Sequence, residues 1–187
     1  RGVFSRAASK KIVERNGRRD SDYDFGTNPC SEIILRPNQF CNLSEIVARA
    51  DDTEADLLRK VELATILGTL QSSLVDFRYL RAVWKKNTEE ECLLGVSLTG
   101  IMDCPLLNDA YSPTINKRLE TLKEKAIETN NTWAKKLGVN ASAAITCIKP
   151  SGTVSQLVDS SSGIHPRFAT TYTRTVRADR KDPLAQA

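Results

Sequence analysis

The sequence predicts a mixed α/β fold, and three observations support that prediction. Apolar residues recur at helical spacing over residues 54–77, and a second long helix is indicated over residues 114–137. Two short apolar segments, residues 93–100 and 143–148, are typical of buried strands. Long helices that alternate with short buried strands indicate an α/β layer or barrel. Few strands are evident, so we expect either an incomplete fold or a sheet completed by segments outside this chain.

The two long helices have recognisable end signals. Asp52 and Thr53 supply side-chain acceptors that can cap the first helix, and Gly68 interrupts it at some cost in stability. Gly138 is a natural stop for the second helix, because glycine readily adopts the left-handed conformation that ends helices.

The other segments are predicted more coarsely. Residues 7–13 suit a short helix, and residues 16–26, which are polar and rich in turn formers, predict a surface loop. Residues 40–47 suit either a strand or a short helix. Residues 160–187 contain many Ser, Arg and Pro residues and are expected to be largely irregular.

Composition and charge restrict the function classes. The formal net charge is only +4 and the basic residues are scattered, so a binding face for a nucleic acid polymer is not indicated. No segment approaches the roughly 20 apolar residues of a membrane span. The start of the chain has neither a Met nor a signal-peptide core, and we expect a chain entered part-way through.

Cysteine usage favours a reducing, cytoplasmic setting. Five cysteines at irregular spacing do not form a secreted disulfide framework, and a single histidine disfavours a Cys/His zinc site or any other metal centre. Three of the five are interpreted as small buried apolar residues: Cys92, Cys104 and Cys147.

A thiol, an amide and a carboxylate occur within five residues, at Cys30, Asn28 and Glu32. In an extended segment these three side chains would point to the same side and could face one small molecule. Pro29 favours a tight loop over a regular ladder strand. A second cysteine, Cys41, follows eleven positions after the first in similarly polar surroundings.

Two kinds of chemistry are open to Cys30 and Cys41. A thiolate nucleophile of a hydrolase or transferase would require a base, and the only histidine, His165, lies far along the chain. A redox pair needs no histidine. The residues therefore disfavour the hydrolase and leave redox chemistry open.

Residues 149–155 predict a loop that could hold phosphate. A strand that ends in a Gly/Ser/Thr loop before a helix presents backbone N–H groups and hydroxyls in one concavity. Gly152 would allow a ligand to approach the backbone closely. A Pro-Ser-Gly turn is usually only a turn, so this motif is weak by itself.

Four motifs occur in the order found in the catalytic subunit of ribonucleotide reductases, and the sequence most resembles the adenosylcobalamin-dependent class. They are Asn28-Pro29-Cys30-Ser31-Glu32-Ile33, Phe40-Cys41-Asn42-Leu43, Leu94-Gly95-Val96-Ser97-Leu98-Thr99-Gly100-Ile101-Met102-Asp103 and Lys149-Pro150-Ser151-Gly152-Thr153-Val154-Ser155-Gln156. The opening Gly2-Val3-Phe4-Ser5-Arg6 and the later Ser161-Ser162-Gly163-Ile164-His165-Pro166-Arg167-Phe168 also resemble that class. The resemblance covers nearly the whole chain, and four motifs in register are far more specific than one.

The resemblance implies a role for each candidate residue. Cys30 matches the cysteine that becomes a thiyl radical and removes the 3′ hydrogen of the ribose. Glu32 matches the carboxylate that accepts the 3′-hydroxyl proton, and Asn28 matches the amide that hydrogen-bonds the sugar. Cys41 matches one member of the cysteine pair that supplies two electrons as the 2′-hydroxyl leaves. The loop that binds the substrate phosphates corresponds to Ser151, Gly152, Thr153, Val154 and Ser155.

The resemblance also implies a fold, a cofactor and partners. The expected fold is an incomplete part of a ten-stranded α/β barrel, with residues 1–187 as one partial catalytic domain and Cys30 on an inner loop. The implied cofactor is adenosylcobalamin. The implied partners are a ribonucleotide, a dithiol reductant such as thioredoxin and the rest of a reductase chain, with no nucleic acid polymer and no membrane.

The same match predicts that the second redox cysteine lies on a segment this chain lacks, so we expect no turnover from the isolated chain. Two alternatives stay open: a nucleotide-binding fragment without chemistry, and a segment of a class I type large subunit. Intact Cys30 and Cys41 favour a reductase over a binding module, since binding alone needs neither sulfur. Their short spacing favours the cobalamin-dependent class over class I.

Overall fold

The computed structural model describes residues 3–186, except for the side chain of Asn16, so the Gly2 of the opening motif lies outside the described residues. The helices are α1 (Arg6–Asn16), α2 (Glu54–Ser72), α3 (Ala82–Glu91), α4 (Ile115–Leu137), α5 (Thr153–Leu157) and α6 (Pro183–Gln186). The strands are β1 (Gly26–Thr27), β2 (Ile34–Leu35), β3 (Asn42–Val47), β4 (Leu94–Thr99) and β5 (Thr146–Cys147), with a short 3-10 helix (Ile101–Asp103) after β4. The predicted mixed α/β class is confirmed.

A three-stranded parallel sheet forms the centre of the fold, in the order β3-β4-β5. Asn42 to Val47 pair with Leu94 to Thr99, and Val96 and Ser97 pair with Thr146 and Cys147. The chain returns from β3 to β4 through α2 and α3, and from β4 to β5 through α4. Crossovers of this kind are what parallel strands require.

The two faces of this sheet have different chemistry. The helix face presents Ser44, Ile46, Leu94, Val96 and Leu98, and α2 and α4 pack on that side to form the apolar core. The loop face presents Leu43, Glu45, Gly95, Ser97, Thr99 and Cys147, because successive residues of a strand point to opposite sides. The loop face is the more polar of the two.

Both long helices begin close to the predicted positions, and α4 also ends where it was predicted to end. Thr53 and Asp56 form a reciprocal capping box at the start of α2, with bonds of 3.2 and 3.0 Å to each other's backbone N–H. Gly138 ends α4 in the left-handed conformation, with φ of 69°. Helix α2 stops at Ser72, five residues before the predicted end.

A fully buried amide joins the two helices to the sheet. The Nδ2 group of Asn130 on α4 donates to Thr69 Oγ1 at 3.0 Å and to Ser142 Oγ at 2.9 Å. Its Oδ1 atom accepts from the Ser142 N–H at 2.8 Å. The polar groups of this contact are thereby satisfied inside the protein, as buried polar groups need to be.

A second, separate sheet consists of the antiparallel strands β1 and β2, in which Gly26 pairs with Leu35 and Thr27 with Ile34. We call residues 26–35 the Cys30 hairpin. The expectation of a simple surface loop over residues 16–26 is wrong in part, because Phe25 is buried and the Arg19 side chain is only 6% exposed.

Strand β5 is shorter than the predicted strand over residues 143–148. The N–H groups of Leu94 and Val96, two residues apart, donate to the adjacent carbonyls of Ala144 and Ile145. Donors two residues apart thus pair with acceptors one residue apart, which interrupts the regular ladder as a β-bulge does. Residues 160–182 contain no helix or strand, as expected, and α6 follows them.

Candidate active site

The Cys30 hairpin turns tightly at its tip and is not extended over residues 28–32. The Asn28 N–H donates to the Ile33 carbonyl at 3.2 Å, and Asn28 Oδ1 accepts from the Ile33 N–H at 3.0 Å. Ser31 lies in the left-handed region, with φ of 65°. These residues are therefore not arranged as an extended strand, and the tight loop that Pro29 favours is confirmed. The turn leaves Cys30 exposed and the carboxylate oxygens of Glu32 buried.

Cys30 is exposed at this tip, and its thiol is free. The side-chain oxygen of Asn28 is occupied in closing the turn, which leaves its NH₂ group as the available donor. The tip therefore offers a sulfur that an outside molecule can reach and an amide donor two residues before it.

Glu32 has an unusual environment for a carboxylate. Both of its oxygens are buried, and neither has a hydrogen-bond partner among the described residues. A buried acceptor without a donor costs free energy, about 1–3 kcal/mol and more for a charged group. An arrangement of this kind is typical of a site that a ligand's hydroxyl group completes.

Cys41 lies just before β3 on the side of the loop face, half-buried and free. Burial, and after it the nearby charge of Glu32, raise the pKa of the Cys41 thiol to about 11, while Lys149 acts in the opposite direction. Glu32 therefore lies close enough to Cys41 to influence its thiol. A thiol with this pKa is protonated at neutral pH, which suits a donor of hydrogen better than a thiolate nucleophile.

Gly95 makes room for the hairpin on the loop face. A Cβ atom on Gly95 would overlap Leu43 Cδ2 and would lie 3.4 Å from Ile33 Cδ1 and 3.2 Å from Cys147 Sγ. The absence of a side chain at this position thus lets Ile33, next to Glu32, approach β4 closely. The hairpin lies on the loop face, next to Cys147.

Cys147 is not the deeply buried apolar residue that the sequence suggested, whereas Cys92 and Cys104 are buried as expected. Burial raises the pKa of Cys147 to about 12, and Cys41 and Glu32 contribute to the rise. Cys41 and Cys147 nevertheless belong to segments on opposite sides of β4. Two strand spacings separate backbones by roughly 9.5 Å, more than the roughly 7 Å limit between the Cα atoms of a disulfide. This register does not make Cys147 the disulfide partner of Cys41.

The loop of residues 149–155 lies at the end of the same face. The Lys149 N–H donates to Ser97 Oγ at 2.9 Å, and the Ser151 hydroxyl donates to Glu45 Oε1 at 2.6 Å. Gly152 has φ of 59° and ψ of −116°, a conformation that glycine adopts more easily than other residues.

Besides the Ser151 hydroxyl, two more of the predicted phosphate-loop groups are used within the protein. The Ser155 hydroxyl is buried and donates to the Gly152 carbonyl at 2.7 Å, and the Gly152 N–H donates to Ser162 Oγ at 3.1 Å. Thr153 and Val154 are exposed at the start of α5, where helical N–H groups have no partner within the helix.

Three side chains make contacts around the site that the sequence did not predict. Glu45 anchors the phosphate-loop candidate, and its only sequence signal is a charge within a predicted strand or short helix. Thr99 Oγ1 accepts from the Gly163 N–H at 2.8 Å and holds the segment after α5 against β4. Arg167 is exposed and pairs with Asp103 at 3.1 Å.

No helix among residues 3–186 has both the length and the apolar character needed to cross a membrane. No family model matches the sequence.

The sequence is similar to curated enzymes of one kind. It is 31% identical over 193 residues to the adenosylcobalamin-dependent ribonucleoside-triphosphate reductase of Lactobacillus acidophilus, across 90% of this chain and 25% of that protein. The corresponding enzyme of Lactobacillus helveticus is 30% identical with the same coverage. That of Lacticaseibacillus paracasei is 28% identical, across 95% of this chain and 26% of the relative. The chain thus spans about a quarter of the length of these relatives.

The fold is similar to a solved structure of the same kind. A crystal structure of a B12-dependent (class II) ribonucleotide reductase matches with a TM-score of 0.60 and 25% sequence identity. The match covers 75% of this chain and 22% of that protein.

Proposed function

We propose that this chain, a homologue of the adenosylcobalamin-dependent ribonucleotide reductases, is part of the catalytic domain of an enzyme that reduces ribonucleotides to 2′-deoxyribonucleotides. The relatives' names favour triphosphate substrates. In this proposal the chain acts together with the rest of a longer reductase, and by itself it has no turnover.

One observation carries the proposal: the buried, unpartnered carboxylate oxygens of Glu32, next to the protonated thiol of Cys41 and two residues from the reachable thiol of Cys30. A ribose offers hydroxyl donors for such a carboxylate. The Asn28 amide supplies a donor that does not titrate. A binding module without chemistry would need neither thiol.

The chemistry assigned to these residues balances in atoms and electrons. The thiyl radical of Cys30 takes the 3′ hydrogen atom, while Glu32 accepts the proton of the 3′-hydroxyl. The 2′-hydroxyl leaves as water, and Cys41 together with a second thiol supplies two electrons and two protons and becomes a disulfide. One of the two protons leaves with the water and the other forms the new C–H bond at C2′. Glu32 then returns its proton to the 3′ oxygen, and Cys30 returns the hydrogen atom to C3′. The second thiol is assigned to a cysteine outside the five of this chain.

The phosphates are assigned to the loop formed by Ser151, Gly152, Thr153, Val154 and Ser155. The exposure of Thr153 and Val154 at the start of α5, where helical N–H groups have no partner within the helix, supports this assignment. Ser151 and Ser155 serve to hold the loop, since their hydroxyls donate to Glu45 and to the Gly152 carbonyl. Lys149, which lies close enough to lower the thiol pKa of Cys41, adds a positive charge beside the same loop.

The fold of the complete domain is proposed to be a ten-stranded α/β barrel with the Cys30 hairpin inside it. The outer strands β3 and β5 each have one side without a strand partner among the described residues, which supports the addition of further strands. A hairpin on the more polar loop face is consistent with a barrel interior that holds a substrate.

Adenosylcobalamin, when bound, would supply the initial radical. The exposure of Cys30 fits that requirement, because a group outside the hairpin can approach the sulfur. None of the described residues is assigned to hold the corrin, so no step is derived through it. A dithiol protein such as thioredoxin would re-reduce the disulfide, and five free cysteines are consistent with a cytoplasmic enzyme.

The test is Cys30→Ser in the complete reductase that carries this segment. Deoxyribonucleotide formation should be abolished while ribonucleotide binding survives, because serine cannot carry the radical but leaves the binding groups in place. Cys92→Ser, which changes a buried thiol away from the loop face, is the matched control and should keep reduction.

Reduction by the Cys30→Ser enzyme would overturn the radical assignment. Product from the isolated chain supplied with adenosylcobalamin, a ribonucleoside triphosphate and a dithiol would instead show that the chain needs no further segments.

A further inference from the structure

We propose that Glu91 is a positioning residue for the Cys30 hairpin, whose buried carboxylate clamps both arms of the hairpin to the end of α3. The inference rests on the proposed function only in calling the hairpin catalytic. Nothing in the sequence motifs pointed to Glu91, which lies about 60 residues from the hairpin along the chain.

The contacts of Glu91 reach both sides of the hairpin. From the upstream side, Arg19 donates to Glu91 through Nε at 3.0 Å and Nη2 at 2.8 Å, a two-point contact. From the downstream side, Arg36 contacts Glu91 Oε1 at 2.9 Å, and Gln39 Nε2 donates to Oε2 at 2.6 Å. One carboxylate thus joins segments that enter and leave the hairpin.

The central side chains of this cluster, Arg19, Arg36 and Glu91, are shielded from solvent, and among their polar atoms only Arg36 Nε has no hydrogen-bond partner among the described residues. The side chains of Arg19 and Arg36 are 6% exposed and that of Glu91 is 3% exposed. Arg19 also donates to the Ile34 carbonyl of β2 at 2.8 Å, and Arg36 pairs with Glu90 at 2.6 Å. Two positive groups therefore face the buried carboxylate of Glu91 and the half-exposed carboxylate of Glu90, so each buried charge is paired.

Aromatic rings support the two arginines. The Arg36 guanidinium lies 3.8 Å from the centroid of the Tyr23 ring, and that of Arg19 lies 4.8 Å from the centroid of Phe25. These contacts fix the planar orientation of each guanidinium and so the direction of its bonds to Glu91.

The hairpin cannot hold this position by its own ladder. Its strands have two residues each, and an isolated two-stranded hairpin is marginally stable at best in water. Beyond the ladder, the tip has its internal turn bonds and the contact of Ile33 over Gly95. The orientation of the tip relative to β4 is therefore set at the base, where Glu91 lies.

Glu91 is also tied to the sheet through its backbone. Its carbonyl accepts from the Ala143 N–H at 2.8 Å, just before β5, and Cys92 and Leu93 lead directly from it into β4. The clamp thus fixes the hairpin to the strands that carry the loop face. A shift of Glu91 would therefore displace the tip of the hairpin, and Glu32 with it, relative to Cys41.

The test is Glu91→Gln in the full 187-residue chain, with Glu54→Gln as the matched control. Glu54 pairs with Arg118 on the far helices and is 63% exposed, so its loss removes an ion pair without touching the hairpin. Hydrogen exchange is followed for peptides that cover the hairpin and β4. Alkylation of Cys41 is followed against pH.

In Glu91→Gln the hairpin amides should exchange about tenfold faster or more, while those of β4 stay protected. The pH midpoint for alkylation of Cys41 should fall from about 11, because a hairpin that moves away takes the negative charge of Glu32 with it. Glu54→Gln should change neither quantity. Neither measurement requires turnover, so failure of the clamp is distinguishable from failure of the reductase chemistry.

Unchanged exchange in the hairpin would overturn the proposal, as would an equal loss of protection in β4. If Glu91→Gln does not fold, Arg19→Lys decides the question, since it keeps the charge but cannot make the two-point contact. A faster exchange confined to the hairpin would support the clamp in that variant, and exchange identical to that of the unmodified chain would refute it.

Discussion

Replacement of Gly95 by alanine tests whether the site depends on close approach of the hairpin to β4. The new Cβ atom would overlap Leu43 Cδ2, and it would lie 3.2 Å from Cys147 Sγ and 3.4 Å from Ile33 Cδ1. All three are side-chain atoms, so the protein can relax, but relaxation moves the residue next to Glu32.

The expected loss of stability follows from two opposing effects. Overpacking costs about 1–3 kcal/mol. Replacing glycine by alanine reduces the conformational entropy of the unfolded chain, which stabilises the folded protein by about 0.4–1 kcal/mol. The net loss should therefore be about 1–2 kcal/mol, which lowers Tm by about 2–8 °C for a chain of this size.

Urea denaturation, with Gly68→Ala as control, measures this effect. A Cβ atom on Gly68 would lie 3.4 Å from Leu94 Cδ2, an ordinary contact, and alanine is favoured over glycine inside a helix by about 1 kcal/mol. Gly68→Ala should thus be neutral or slightly stabilising.

The double variant Gly95→Ala/Leu43→Val tests the named clash, because valine has no Cδ atom. The double variant should be about 1 kcal/mol more stable than the sum of the two single effects predicts. The reasoning is refuted if Gly95→Ala is as stable as the unmodified protein, or if the two changes are simply additive.

Two further predictions concern other parts of the molecule. The alkylation rate of Cys41 should keep rising above pH 10, since the pKa of its thiol is about 11. Glu32→Gln should lower that pKa, because the substitution removes a nearby negative charge. An unchanged pH profile in Glu32→Gln would mean that the two groups do not interact. Asn130→Ala should lower the free energy of unfolding, measured by urea denaturation, by about 2–4 kcal/mol, because it leaves the buried N–H and hydroxyl of Ser142 without partners. A loss below about 0.5 kcal/mol would contradict the role of the Asn130 amide.

The long elements of the fold were predictable because their signals are local. Periodicity located α2 and α4, the capping residue Thr53 and the stop Gly138 set their ends, and the apolar segment ending in Gly100 located β4. The end of α2 was predicted too far along, since residues 73–77 continue the apolar pattern without continuing the helix.

The site was predictable as a set of residues but not as a geometry. Pro29 indicated a tight loop around Cys30, but nothing in the sequence indicated that Ser31 would adopt the left-handed conformation of its turn. The Arg19–Glu91 contact joins residues 72 positions apart, and no local pattern indicates such a pair. Because no local pattern reveals the burial of Arg19, the sequence predicts only a surface loop for residues 16–26.

The alternation of the two sheet faces separates two kinds of sensitivity along a single strand. In β4, Leu94 and Val96 belong to the core, while Ser97 and Thr99 hold the segments that surround the site. A scan of substitutions along β4 should therefore give an abundance profile and an activity profile that alternate from residue to residue. Evolutionary change along this strand would meet a different constraint at each step.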